Sequence, residues 1–472
     1  MQPPHLLLRK SQFAVIAVAT MLTLAAPRLA QAEALLLVEA ESGTVLEAQN
    51  ATIPWYPASV TKMMTAYVTL KAVKDGKITL DTLFTVSPTA ASQSPSKMGF
   101  KPGTQVTADN ALKMMLVKSA NDMAVVLAEG VGGSIDDFSA MMNETARKLG
   151  MTQTSYVNPN GLPADGQITS ARDLAILARA IIHDLPEYEY FVHIPSIRYG
   201  RRVTQNFNKL IGRYPGADGF KTGFICASGY NLVGSATRNG KRLIAVVLGA
   251  SSGQMRAVRA AQLLERGFNG NTLNWLKPSL GTVDALVPVD ASPPNLRDEM
   301  CGGKRHRPAS DEDEDTMASA AGSDATGGTL LAGLQPPALK PSELLAAAPA
   351  PSEPIPVYTG PTRTGVGLIA AIAADTDRQT PPARHRGKRV HAAVRKADAD
   401  KADSKGDTKT SGTEKNGAKP AMRHANAKSE AGGKPADRPG KPAATAAKPA
   451  KPKAAAKPKP GTGDAKPAAR TG

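Results

Sequence analysis

The sequence predicts an α+β fold: an antiparallel sheet flanked by helices, with a helical insertion between two strand groups, then a long disordered tail. Three observations carry that prediction. Apolar strand patterns with short turns stand at both ends of residues 33–271. Helical periodicity fills the space between them. Beyond residue 272 the apolar periodicity gives way to stretches dominated by Ala, Pro and Lys.

Taken in order, the first strands are Ala34-Leu35-Leu36-Leu37-Val38 and Thr44-Val45-Leu46, joined by a turn at Ser42-Gly43. A helix is expected from Ser59 to Val73, just after Pro57, with Met63, Met64, Ala66, Tyr67 and Leu70 at helical spacing. Two more are expected over Asp109 to Lys118 and Asn121 to Glu129, broken at Ser119-Ala120. Ser134 caps Ile135 to Leu149, which Gly150 terminates, and Ser170 opens Ala171 to His183. Lys221-Thr222-Gly223, between Asp218-Gly219 and Phe224-Ile225, reads as a strand at the rim of the sheet. Tyr230 to Ala236 and Arg242 to Leu248 flank an Asn239-Gly240 hairpin turn, and a helix follows from Gln254 to Arg266. Tight hairpins make the sheet antiparallel, and strands this apolar need helices over both faces.

The chain ends read differently. Arg9 and Lys10 precede an apolar run from Phe13 to Ala26, and Ala30-Gln31-Ala32 follows as a small-x-small site. Residues 1–32 are therefore expected to be a secretory signal peptide, and the protein is expected to be exported, to a periplasm or cell envelope. The apolar run is shorter than the ~20 residues that a spanning helix needs. Val366 to Ala374 is too short as well, and no C-terminal membrane anchor is recognised. Residues 272–380 are expected to be a mostly disordered extension with an Ala/Pro-rich linker, and 381–472 a basic disordered tail. The net charge of +17 sits mainly in that tail, which holds 23 Lys and Arg against 8 Asp and Glu. It also lacks aromatic residues and so offers no stacking platform, which makes nucleic acid the least favoured partner; a solvated extension without a partner and loose electrostatic contact with anionic envelope polymers are the two other readings. In an oxidising compartment the two cysteines, Cys226 and Cys301, permit one disulfide; two buried thiols are the alternative.

Three short motifs occur in order: Ser59-Val60-Thr61-Lys62, Ser119-Ala120-Asn121 and Lys221-Thr222-Gly223. Each alone is a weak signal; together, in sensible structural contexts, they point to nucleophilic serine chemistry. A serine hydroxyl needs a base within hydrogen-bond reach. Positions i and i+3 share a helix face, which puts Lys62 over Ser59. The first turn of a helix also offers free N–H groups to a developing oxyanion. To accept a proton Lys62 has to lose its own, and both burial and a second cation, Lys221, favour that. Lowering a lysine pKa from ~10.4 to 7–8 costs roughly 3–5 kcal/mol, which a packed site can impose. None of the seven histidines joins the constellation, and no cofactor or metal is expected. Gly223 allows close backbone approach at the sheet rim, where an extended peptide can pair along the edge. The N–H groups of Ser59 and Phe224 would form the oxyanion hole.

From Leu37 to Phe268 the sequence resembles a low-molecular-mass penicillin-binding protein of the D-alanyl-D-alanine carboxypeptidase family, within the β-lactamase-like superfamily. Besides the three motifs, the likeness lies in Tyr56-Pro57-Ala58, Met114-Met115-Leu116-Val117-Lys118, Asn158-Pro159-Asn160-Gly161-Leu162 and Asp218-Gly219. The resemblance implies an acyl-enzyme on Ser59 with the penultimate D-Ala of a peptidoglycan stem peptide, release of the terminal D-Ala, and acylation by β-lactams. It implies Lys62 as base, Ser119 with Lys221 as proton relay, Asn121 on the substrate amide, and Thr222 with Arg256 on the terminal carboxylate. The sequence departs from the family pattern at Phe224, where many members carry His, and at Phe207, where many carry Arg. It also shows no sign of the β-rich second domain with an amphipathic anchoring helix. The absence of a Glu-x-x-Leu-Asn run between Asn121 and Lys221 argues against β-lactamase activity. A D,D-endopeptidase acting on cross-links, or a non-catalytic wall-binding protein, are the alternatives.

Overall fold

The structure, a computed structural model, describes residues 33–270, 278–303, 341–346 and 348–379. The expected signal peptide, the acidic run at 311–315 and the basic tail at 381–472 lie outside the described residues. At the centre is a five-stranded antiparallel sheet of order β2-β1-β9-β8-β7. Its strands are β1 (Ala34–Glu39), β2 (Val45–Gln49), β7 (Ala217–Ile225), β8 (Gly229–Arg238) and β9 (Lys241–Ala250). Between the two strand groups come α1 (Lys62–Lys74), α2 (Ala108–Val117), α3 (Asn121–Gly132), α4 (Ile135–Lys148) and α5 (Ala171–Asp184). The helix α6 (Gly253–Asn269) closes the body. Two-stranded pairings of β3 (Leu83–Thr85) with β4 (Gln105–Thr107), and of β5 (Ser196–Tyr199) with β6 (Arg202–Gln205), lie outside the main sheet. The α+β class with a helical insertion is the fold observed.

Local chemistry explains the boundaries. Ser134, Ser170 and Ser252 each accept the backbone N–H three residues on, so α4, α5 and α6 start where a hydroxyl takes up a free donor. Asn239 and Gly240 both have positive φ, 50° and 76°, the geometry of the tightest hairpin turns, and β8 and β9 pair on either side. Alternation along β1 sends Leu35 and Leu37 to the face under α6, and Ala34, Leu36 and Val38 to the face packed against the helical insertion. Two apolar layers result, with the sheet between them. The α1 helix is buried nearly all round, surrounded by α2, α3, α4 and α5.

Two differences from the sequence reading affect the site. First, the expected helix at Ser59 opens with a 3-10 turn, Ala58–Thr61, before α1 begins at Lys62. Second, residues 278–303 and 348–379, expected to belong to a mostly disordered extension, carry structure on the body. Val283 is buried and its N–H reaches the Gly43 carbonyl. Leu296, which precedes the short helix Arg297–Cys301, and Met300 within it are buried. Ile355–Pro356 forms β10, parallel to β5, and the helix α7 (Gly365–Gln379) follows. The buried residues here come in ones and twos, such as Val283, Leu296 with Met300 and Val357 with Tyr358, too few to set a period that can be read. No described helix is long and apolar enough to cross a membrane.

Candidate active site

The site forms where the 3-10 turn at the mouth of α1 meets the edge strand β7. In a 3-10 turn, residues i and i+3 eclipse, a closer stacking than the α-helix gives. Lys62 thus stands directly over Ser59, with Nζ 2.9 Å from Ser59 Oγ. Lys62 is wholly buried, and its Nζ also donates to Asn121 Oδ1 at 2.8 Å and to the Asn160 carbonyl at 2.6 Å. Asn121 opens α3; its amide nitrogen donates to the Ser94 carbonyl, which fixes its oxygen toward Lys62.

The backbone ahead of the serine is held in an unusual shape. Ala58 has φ of 51°, a left-handed conformation that costs a non-glycine residue on the order of 1 kcal/mol. The surroundings impose it. Asn231 Nδ2 donates to the carbonyls of both Tyr56 and Pro57. The loop at Gly161 lies so close that a Cβ there would come within 1.8 Å of the Ala58 carbonyl oxygen. Ser119 is a second left-handed residue, φ 62°, at the break between α2 and α3.

Across the cleft, β7 runs flush against the serine turn. A Cβ on Gly223 would stand 2.7 Å from the Ser59 nitrogen and 3.0 Å from the Val60 nitrogen, so only glycine fits without displacing backbone. Ser59, Ser119, Asn121, Phe207 and Phe224 line one cleft, together with Ser96. Lys221 and Thr222 are buried in β7, and Lys221 Nζ donates to the Thr222 carbonyl. Arg256, also buried, reaches from α6 to the carbonyls of Gly223 and Phe207, with its guanidinium over the Tyr230 ring. Phe224 stacks on Tyr230 at 4.2 Å. Beside Asn121, the buried Asp122 carboxylate accepts from the N–H groups of Met98 and Gly99, at the end of the loop bearing Ser94 and Ser96. Burial pushes the Asp122 carboxyl up, and these backbone donors offset the shift only in part.

Residues 21–252 match the family model for the D-alanyl-D-alanine carboxypeptidases, peptidase family S11. The chain is 40% identical over 284 residues to the D-alanyl-D-alanine carboxypeptidase DacC of Escherichia coli, spanning 58% of this chain and 70% of that one. The chain belongs to the D-alanyl-D-alanine carboxypeptidase family. It is therefore a serine peptidase. DacA of Escherichia coli is 38% identical over 266 residues, covering 55% of this chain and 66% of its own. Among solved structures, penicillin-binding protein 5 of Haemophilus influenzae is 36% identical with a TM-score of 0.49, covering 52% of this chain and 72% of that one.

In this carboxypeptidase the side chains around the serine are legible in the sequence, whereas the groups that hold them are not. The Asn160 carbonyl, 2.6 Å from Lys62, is a backbone atom that any residue could supply. Asn231 and Asp122 act on backbone N–H and C=O groups, and no pattern of residue types announces such contacts. The Asn158 to Leu162 run carries part of the family likeness, so the loop, though not its carbonyl, is visible in the sequence. Cys226 and Cys301 are joined by a disulfide, which ties the short helix Arg297–Cys301 to the end of β7.

Proposed function

We propose that this carboxypeptidase cleaves the terminal D-Ala from peptidoglycan stem pentapeptides through an acyl-enzyme on Ser59. The observation that carries the proposal is the 2.9 Å contact between the wholly buried Lys62 Nζ and the half-buried Ser59 Oγ. Two of the partners of Lys62, Asn121 Oδ1 and the Asn160 carbonyl, can only accept hydrogen bonds. They draw the two hydrogens of an uncharged amine, which leaves its lone pair for the Ser59 hydroxyl. Ser59 then gives its proton to Lys62 as Oγ adds to the carbonyl of the penultimate D-Ala. The oxyanion lies between the N–H groups of Ser59 and Phe224, across the gap that Gly223 keeps open; such a donor is worth about 2.7–4 kcal/mol.

Collapse of the adduct expels the terminal D-Ala amine, which takes its proton through Ser119, with Lys221 adding positive charge. Asn121 holds the substrate amide; Thr222 and Arg256 hold the terminal carboxylate. Water then hydrolyses the ester and frees Ser59. Penicillins acylate the same oxygen as mimics of the D-Ala-D-Ala end. Export by the segment at residues 1–32 brings the enzyme to its substrate, and the basic tail adds salt-reversible attachment to anionic envelope polymers.

Mass spectrometry of the penicillin-treated protein tests the reading: one adduct is expected, on the peptide bearing Ser59, and none in Ser59→Ala. An adduct that persists in Ser59→Ala would overturn it. The same protein is expected to release D-Ala from a pentapeptide faster than it cleaves a cross-linked dimer; the reverse ranking would make it an endopeptidase.

A further inference from the structure

The returning segment at 355–379 lies across the elements that lead into Ser119-Ala120-Asn121. Its strand β10 pairs with β5, and Val357 and Tyr358 just beyond it are buried. The Tyr358 N–H donates to Asn110 Oδ1 at 3.2 Å, in the first turn of α2, the helix that ends at the motif. The Gly360 N–H donates to the Gln105 carbonyl of β4 at 2.7 Å.

The helix α7 then folds the segment back on itself in an inverted way. Val366 is 82% exposed and Ile369 68%, while Asp375, the one buried residue of α7, is 2% exposed. A helix that leaves its apolar side chains outside and turns a carboxylate inward is held by polar contacts, because a buried charge is tolerated only when it is paired. Asp375 accepts from the Thr359 N–H at 3.1 Å, from Thr359 Oγ1 at 3.0 Å and from Arg378 Nη1 at 3.1 Å. It is also the partner of the Tyr199 hydroxyl at the end of β5.

From Tyr199 a run of contacts reaches the serine. Its ring meets the Phe100 ring edge-on, with centroids 5.2 Å apart. Phe100 follows Met98 and Gly99, whose N–H groups Asp122 holds. In the same loop the Ser96 carbonyl takes the Asn121 N–H at 2.8 Å, and the Ser94 carbonyl takes the Asn121 side-chain amide at 3.1 Å. Ser96 Oγ donates to the Lys118 carbonyl at 3.0 Å, directly ahead of Ser119. The returning segment thus braces this loop at Phe100 and again at Gln105.

We propose that Asp375 is a positioning residue for acyl transfer: it clasps the returning segment onto β5, and through Tyr199 and Phe100 that clasp sets the loop which aims Ser119 and Asn121. The proposal rests on the acyl-transfer reading of Ser59 and adds to it a dependence on a residue far along the chain.

The test measures penicillin acylation of the full chain by rapid mixing, at a temperature where each variant is folded by circular dichroism. Asp375→Ala is expected to lower the limiting acylation rate by about 10–100-fold, the range open to a small misplacement imposed from a distance. Asp375→Asn keeps the shape and an acceptor oxygen, and is expected to recover most of that loss. Phe100→Leu cuts the same route from the loop side, so the double variant is expected to lose no more than the worse single one. Val283→Ala, which opens a cavity under the other returning segment, is the control, with a lower melting temperature and an unchanged rate. Wild-type acylation by folded Asp375→Ala or by Phe100→Leu would overturn the proposal, as would two losses that multiply in the double variant. A Val283→Ala protein slowed as much as Asp375→Ala would overturn it too, since the loss would then follow stability. Each of these outcomes leaves the Ser59 reading standing; that reading falls, and this proposal with it, only if the wild type forms no adduct on Ser59.

Discussion

Asp122 shows how a single buried charge can be weighed. Its carboxylate is out of contact with water and accepts from the Met98 and Gly99 N–H groups, yet burial still leaves its pKa raised. The folded chain therefore holds that proton more tightly than the unfolded chain, whose carboxyl titrates near 3.8. Between 3.8 and the higher folded value the native state binds more protons, so this group's contribution to stability falls as pH rises. The stability difference between wild type and Asp122→Asn is expected to be largest at the acid end and to shrink with rising pH. Urea titrations at a series of pH values measure it; a difference that grows with pH would contradict the sign. At this scale the sequence is legible where side chains meet, as with Ser59, Lys62 and Asn121, which the structure brings into contact. It is silent where a backbone atom acts, as at Asn160, or where a side chain such as Asn231 braces the backbone.

Between elements, the decisive contact is that of β7 with the 3-10 turn. Gly223→Ala would put a methyl group 2.7 Å from the Ser59 nitrogen, and that neighbour is backbone, so no rotamer change relieves the clash. Either the strand or the turn has to move, and the proposed mechanism takes one oxyanion donor from each. The variant is expected to lose about 10²–10³-fold in penicillin acylation rate, the cost of one misplaced oxyanion donor. It should also lose about 1–3 kcal/mol of stability from overpacking. Acylation kinetics and thermal melts measure the two; acylation near the wild-type rate would show that the close approach is not needed. The strong elements were readable because their signals are redundant. β8 and β9 combine long apolar runs with an Asn-Gly turn, and α4 and α5 combine serine caps with an apolar stripe. The β5–β6 hairpin carries none of this: its turn lies in Arg198-Tyr199-Gly200-Arg201-Arg202, and β6 is mostly exposed, so neither face marks it as a strand.

For the molecule as a whole, the chain after α6 returns over the body in segments that bury few apolar residues each. Such a segment gains little from burial and loses conformational entropy when it docks, so a covalent tie alters the balance more than one further contact would. The Cys226–Cys301 bond spans 75 residues and holds the returning chain against the end of β7. Closing a loop of that size restricts the unfolded chain by about 4 kcal/mol on a chain-entropy argument. Cys301→Ser is therefore expected to lower the melting temperature by roughly 5–15 °C, given the usual shift per kcal/mol for a body of this size. Because Ser59, Lys62 and Asn121 stand on elements the disulfide does not join, the variant should still form the penicillin adduct at temperatures where it remains folded. Calorimetry and adduct formation at 20 °C or so, well below typical mesophile melting points, separate the two effects. A Cys301→Ser protein that melts with the wild type would show that the returning segment is held by its buried side chains alone, and loss of the adduct in a fully folded variant would mean that the tie reaches the serine itself.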